Sequence, residues 1–198
     1  GRIFRLRQHI DRLYASARAI ALQVWLTKDE MAALCEESIR VNDLKDAYLR
    51  LIVTRGVGDL GLDPRKCAKA SVICIADNIA LFPAAVYERG MTMMTAATPV
   101  HHSEGVSPRI KSLNYLAHIL AKIEAIAAGA DEALMLVAGD GVAEGVAENV
   151  FAVHGRTLVT PPAHAGILRG VTRDAVIEIA AAAGYVVRED MLTRYDLY

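Results

Sequence analysis

Three stretches of the chain hold residues whose types and spacing suit joint chemistry. In Arg109-Ile110-Lys111-Ser112-Leu113-Asn114-Tyr115-Leu116, a lysine stands one residue before a long helical pattern. Near a helix start and close to Arg109, its ammonium form is disfavoured, which frees the amine to form a Schiff base. The plainer reading is an exposed lysine facing an unfavourable dipole. Gly141-Val142-Ala143-Glu144-Gly145-Val146-Ala147-Glu148-Asn149-Val150-Phe151 reads as a turn leading into a strand. There Glu144, fixed in a close-packed loop, can pair with a protonated ring nitrogen and keep that ring an electron sink. The alternative is a glycine-rich hairpin with solvated glutamates. Gly166-Ile167-Leu168-Arg169-Gly170-Val171-Thr172-Arg173-Asp174 reads as a loop entering a helix. Free backbone N–H groups and the helix dipole suit a phosphate there, with the Thr172 hydroxyl as a further donor. Thr172 near an ordinary helix cap is the plainer reading.

These residues need a scaffold, and hydrophobic periodicity supplies one. Residues 7–20 place Ile10, Leu13, Tyr14, Ala17 and Ile20 at helical spacing. Thr27 and Glu30 form a capping box before a second helix ending near Val41. Residues 47–54 are rich in strand formers, and Gly56, Gly58, Gly61 and Asp63-Pro64 mark a loop. Residues 70–76 read as a buried strand. The pattern loosens over residues 77–89, where a domain boundary is expected. A strand near 91–97 and a polar loop, 98–108, lead to a helix over 112–128, closed by Gly129. Short strands near 132–137, 149–154 and 156–160, a helix over 172–183 and a strand at 186–188 complete an α+β chain.

Composition narrows the function classes. A chain of 198 residues that is 54% hydrophobic buries a sizeable core. A net charge of −1 with mixed signs leaves no footprint for nucleic acid or an anionic membrane surface. The apolar runs are too short for a membrane span, and no signal peptide is visible. Three cysteines without a C-x-x-C pair read as reduced thiols of a cytoplasmic protein. His101 and His102 have no further ligand at metal spacing, so no metal is expected. No G-x-G-x-x-G follows a strand, and there is no P-loop.

Six segments in order carry a resemblance. They are His9-Ile10-Asp11-Arg12-Leu13, Ala47-Tyr48-Leu49-Arg50, Lys111 with Asn114-Tyr115-Leu116, Glu144-Gly145 with Glu148-Asn149-Val150-Phe151, Thr160-Pro161-Pro162, and Gly170-Val171-Thr172-Arg173-Asp174. Together they resemble the fold-type IV pyridoxal-phosphate (PLP) enzymes, and most of all the branched-chain amino acid aminotransferases. The resemblance implies two α/β domains, 1–78 and 91–198, joined by a linker at 79–90, with the cofactor site between them. It implies PLP in Schiff-base linkage to Lys111, which then shuttles the proton, and Glu144 against the ring nitrogen. Arg12, Val171 and Thr172 would bind phosphate, Tyr115 would lie by the ring hydroxyl, and Leu168 would back the ring. Tyr48 would line the substrate pocket and Arg50 would help position a substrate carboxylate. The implied reaction is ping-pong transamination of leucine, isoleucine or valine with 2-oxoglutarate, in a homodimer or higher homo-oligomer.

Members of this family are longer, with segments before Gly1 and after Tyr198, so the chain is expected to lack both. Within the same fold, a D-amino acid aminotransferase or an aminodeoxychorismate lyase would keep Lys111 and Glu144. From another class, an inert fragment or pseudoenzyme would fold without turnover.

Overall fold

The computed structural model describes residues 2–78, 82–100, 105–137 and 139–198. The chain forms two compact units, Gly1–Pro83 and Ala84–Tyr198.

In the first unit, helices α1 (Leu6–Ala19) and α2 (Lys28–Val41) precede strands β1 (Ala47–Thr54) and β2 (Ser71–Asn78). The expected capping box starts α2. Glu30 N–H donates to Thr27 Oγ1 at 3.2 Å, and Thr27 N–H donates to Glu30 Oε2 at 2.7 Å. The Thr27 backbone N–H also holds the Glu30 carboxyl below its ordinary range. Ile10 and Ala17 of α1 are buried, as are Met31 and Cys35 of α2, and α2 packs on both α1 and β2. Burial pushes the Cys35 thiol up to about 12, which suits an inert packed side chain. β1 and β2 pair antiparallel from Ala47↔Asn78 to Thr54↔Ser71. The chain leaves β1 through Gly56 at φ 89°, where a Cβ would lie 1.8 Å from the Lys69 carbonyl oxygen. Only glycine fits that turn.

The second unit opens with helix α3 (Ala84–Arg89), in a stretch expected to be part of an irregular linker. Strand β3 (Met93–Thr95), helix α4 (Leu116–Ala127) and strand β4 (Glu132–Leu136) form a parallel crossover. Strand β5 (Val142–Gly145) then pairs antiparallel with β4, giving the order β3-β4-β5. A second sheet, ordered β6-β7-β8, contains Ala152–His154, Thr157–Thr160 and Val186–Glu189, with helix α5 (Val171–Ala182) between β7 and β8. The core explains why α4 approaches its sheet. Ala117, Ala121 and Ala125 recur at every fourth position and pack with Met135, Ala143 and Ile167. Small side chains on that stripe let helix and sheet backbones come close. A second cluster, Leu134, Val142, Ala152, Val159 and Leu192, joins the two sheets.

No helix among the described residues is long and apolar enough to cross a membrane. Residues 101–104, which include His101 and His102, lie outside the described residues.

Candidate active site

Lys111 projects from an irregular segment rather than from a helix start. Ile110 N–H donates to the Ser107 carbonyl at 3.0 Å, and Ser112 N–H donates to the Ile110 carbonyl at 2.8 Å. Asn114 N–H is taken by Ser112 Oγ at 3.3 Å. These local bonds compete with helix formation, so α4 begins only at Leu116. Lys111 therefore lies five residues ahead of the helix, beyond the first turn where a dipole acts. The expectation of a dipole-activated lysine is corrected accordingly. Its nearer partner is Tyr115, the residue capping α4: Lys111 Nζ donates to the phenolic oxygen at 3.2 Å.

Glu144 occupies strand β5, opposite Met135 of β4, rather than the expected loop. It is 6% exposed. Leu168 N–H donates to its Oε2 at 3.0 Å, and Asn149 Nδ2 approaches the same oxygen at 3.4 Å. The Asn149 amide also donates to the Leu168 carbonyl at 2.9 Å, closing a triangle between Glu144, Asn149 and Leu168. The other carboxylate oxygen, Oε1, is 3.6 Å from Nε2 of His118 on α4. Lys111, Tyr115, His118, Glu144, Asn149 and Leu168 all line one pocket.

The loop through Leu168 runs directly into α5. The residue capping that helix is Gly170, so Thr172 is its second residue rather than its cap. Gly170 makes no side-chain cap bond, which leaves the first-turn N–H groups without a side-chain acceptor from the cap. Val171 is buried, so what it offers a ligand is its backbone N–H, while Thr172 is exposed. The turn is anchored by buried Arg173, whose Nη2 donates to the Pro161 carbonyl at 2.8 Å and to Glu189 Oε2 at 2.7 Å.

The structure thus brings Lys111, Tyr115, Glu144 and Leu168 to one pocket, with Val171 and Thr172 on the helix that continues from it. The other three expected residues belong to the first unit. Arg12 is on α1, with Nη2 3.5 Å from His9 Nδ1, and Tyr48 and Arg50 are on β1. Sequence reasoning missed His118 altogether and gave Asn149 and Gly170 no separate role. No group of His, Cys, Asp and Glu that could hold a metal occurs among the described residues.

Residues 1–198 match the Amino-transferase class IV family. A Methanocaldococcus jannaschii protein provisionally assigned as a branched-chain-amino-acid aminotransferase is 48% identical over the whole chain, which covers 68% of it. The branched-chain aminotransferase of Thermoproteus uzoniensis, solved with norvaline, superposes with a TM-score of 0.92 at 36% identity, covering 98% of this chain and 65% of that one. A T.th. branched-chain amino acid aminotransferase, complexed with N-(5'-phosphopyridoxyl)-L-glutamate, gives 0.91 at 34% identity, covering 98% and 63%. The chain spans about two thirds of the length of these relatives (68%, 65% and 63%). A family match along all 198 residues, on a fold shared with solved branched-chain enzymes, makes this chain a member of the class IV aminotransferases.

Proposed function

We propose that the protein transfers amino groups between branched-chain L-amino acids and 2-oxoglutarate with PLP as its cofactor. The observation that carries this reading is one pocket lined by both an exposed lysine amine and a buried carboxylate, Lys111 and Glu144. The residues present fit the cofactor. A desolvated carboxylate with one oxygen anchored and the other short of a close partner calls for a cationic or N–H donor, which a protonated ring nitrogen is. The start of α5, without a side-chain cap, suits a phosphate.

When bound, PLP supplies a carbonyl that condenses with amines and a ring that delocalises the electron pair left on the substrate α-carbon. In this reading Lys111 would hold the cofactor, and its free amine would move the substrate α-proton through Nζ. Tyr115, which accepts a hydrogen bond from that nitrogen, orients it. Glu144 presents negative charge to the ring nitrogen, and Leu168 contributes both an apolar surface and the N–H that fixes Glu144. Val171 and Thr172 would hold phosphate through the start of α5. For Arg12, Tyr48 and Arg50, on the first unit, the roles in phosphate, side-chain and carboxylate binding rest on the sequence resemblance alone. The phosphopyridoxyl-glutamate bound by the T.th. relative supports glutamate and 2-oxoglutarate as the second amino-acid pair.

The test is turnover with PLP, 2-oxoglutarate and either leucine or D-alanine. Glutamate formation from leucine is expected, falling by about 10²–10⁴-fold in Lys111→Ala as the proton-transfer group is lost. Turnover of D-alanine alone would overturn the substrate assignment.

A further inference from the structure

His118 is the third residue of α4, and both its side chain and that of Glu144 are largely buried, 13% and 9% exposed. The Tyr115 ring meets the imidazole edge-on, with centroids 5.7 Å apart and planes at 68°. Packed in this way, the imidazole directs Nε2 at Glu144 Oε1, 3.6 Å away, while Nδ1 is buried with no hydrogen-bond partner among the described residues. A neutral imidazole carries one ring proton. On Nε2 that proton is a donor aimed at Glu144, and the unpartnered Nδ1 is then a bare lone pair. On Nδ1 it would be a buried N–H without an acceptor, the rarer defect in folded proteins.

We propose that His118 is a positioning residue for the cofactor, acting through Glu144. The proposal rests on the reading of Glu144 as the ring-nitrogen partner. The terminal torsion of a glutamate is broad, so a carboxylate anchored through one oxygen can rotate. Leu168 and Asn149 hold Oε2 from the loop side, and His118 Nε2 faces Oε1 from the helix side at 3.6 Å, just beyond hydrogen-bond distance. A donor facing the second oxygen limits the carboxylate's rotation before the cofactor arrives and so lowers the ordering cost of binding. The arrangement also runs from the lysine to the carboxylate: Lys111 contacts Tyr115, Tyr115 packs on His118, and His118 faces Glu144.

The experiment compares His118→Leu, which removes the donor, with His118→Gln, whose side-chain amide keeps one. PLP dissociation constants are measured by fluorescence titration, alongside the visible spectrum of bound PLP and the melting temperature of each protein before PLP is added. The expected result is a PLP dissociation constant raised about tenfold in His118→Leu, as for other residues that orient a ligating group. The spectrum should shift in that variant, and His118→Gln should restore both. Wild-type binding and spectrum in His118→Leu would overturn the proposal, as would equal losses in the two variants, which would mark packing alone. Long-range 1H–15N NMR of the wild-type protein reads the tautomer without any substitution, and a proton on Nδ1 would also overturn it. Failure of the underlying reading is separate: wild-type protein would then show no visible PLP band that Lys111→Ala removes.

Discussion

The backbone N–H of Leu168 donates to Oε2 of Glu144 at 3.0 Å, so a loop 24 residues further along the chain fixes the carboxylate of a buried strand. Asn149 braces the same pair, bonding the Leu168 carbonyl at 2.9 Å and lying 3.4 Å from Glu144 Oε2. The loop that positions Glu144 is the one that starts α5. In the proposed reading, the residues that face the ring nitrogen and the phosphate are therefore tied together through one loop.

Glu144→Gln keeps the shape of this arrangement and removes its charge. The loss of a charge-assisted hydrogen bond, about 1.5–3 kcal/mol, corresponds to a fall in kcat of roughly ten- to hundredfold. The melting temperature should fall only modestly, because the amide oxygen can still accept from Leu168 while its NH2 then faces the His118 Nε2–H 3.6 Å away. Steady-state kinetics with leucine, paired with a thermal melt, check both halves.

Gly170→Ala tests the brace. Gly170 has an ordinary backbone, φ −71° and ψ 136°, so the demand for glycine is one of space. A Cβ there would lie 2.1 Å from Asn149 Oδ1. Asn149 must move, at a cost of about 1–3 kcal/mol typical of overpacking. Weaker PLP binding is expected together with a lower melting temperature, and the double variant Gly170→Ala/Asn149→Ala should recover part of the stability.

Arg173 and Glu189 form a bonded pair whose members should not be equally important. Arg173 is 1% exposed in its side chain and also satisfies the Pro161 carbonyl, whereas Glu189 is 50% exposed. Arg173→Met leaves that carbonyl unpaired and should cost about 1–3 kcal/mol. Glu189→Gln should cost less, because water reaches its carboxylate. Urea denaturation of both variants gives the comparison.

Asp131 makes stability depend on acid pH. Arg89 donates to both of its oxygens, at 2.8 and 2.9 Å, and Thr92 N–H adds a third bond at 2.9 Å. Arg89 first, and then Thr92, hold the carboxyl well below the ordinary range. The resulting stability is present above the ordinary aspartate value of about 3.9 and is lost as pH falls through the depressed native value. Asp131→Asn should therefore melt earlier than wild type at neutral pH, with the gap closing on acidification below about pH 4. A gap independent of pH would contradict this.

How much of this was legible in the chain varies with the physics. Helices α1, α2 and α5 follow from apolar spacing and, for α2, from the Thr27–Glu30 box, because those signals are local. Strand β5 was hidden because Val142, Ala143, Glu144 and Gly145 are all buried, so no apolar–polar alternation marks it. The start of α4 was misjudged because Ser112 Oγ takes the Asn114 N–H, a contact that spacing does not reveal. The gathering of Lys111, Tyr115, Glu144 and Leu168 at one pocket was legible through the ordered resemblance rather than through any single motif. His118 carried no sequence signal: one histidine on a helix acquires meaning only when β5 brings Glu144 beside it. Gly170 and Asn149 likewise gain their roles from a contact 21 residues apart in sequence.

The most direct measurement of the central assignment is borohydride reduction of the PLP-loaded protein followed by peptide mass spectrometry. Reduction fixes PLP covalently to whichever amine holds it. The account predicts a phosphopyridoxyl mass on the peptide containing Lys111 and on no other. A label on a different lysine, or a protein that takes up none, would contradict it.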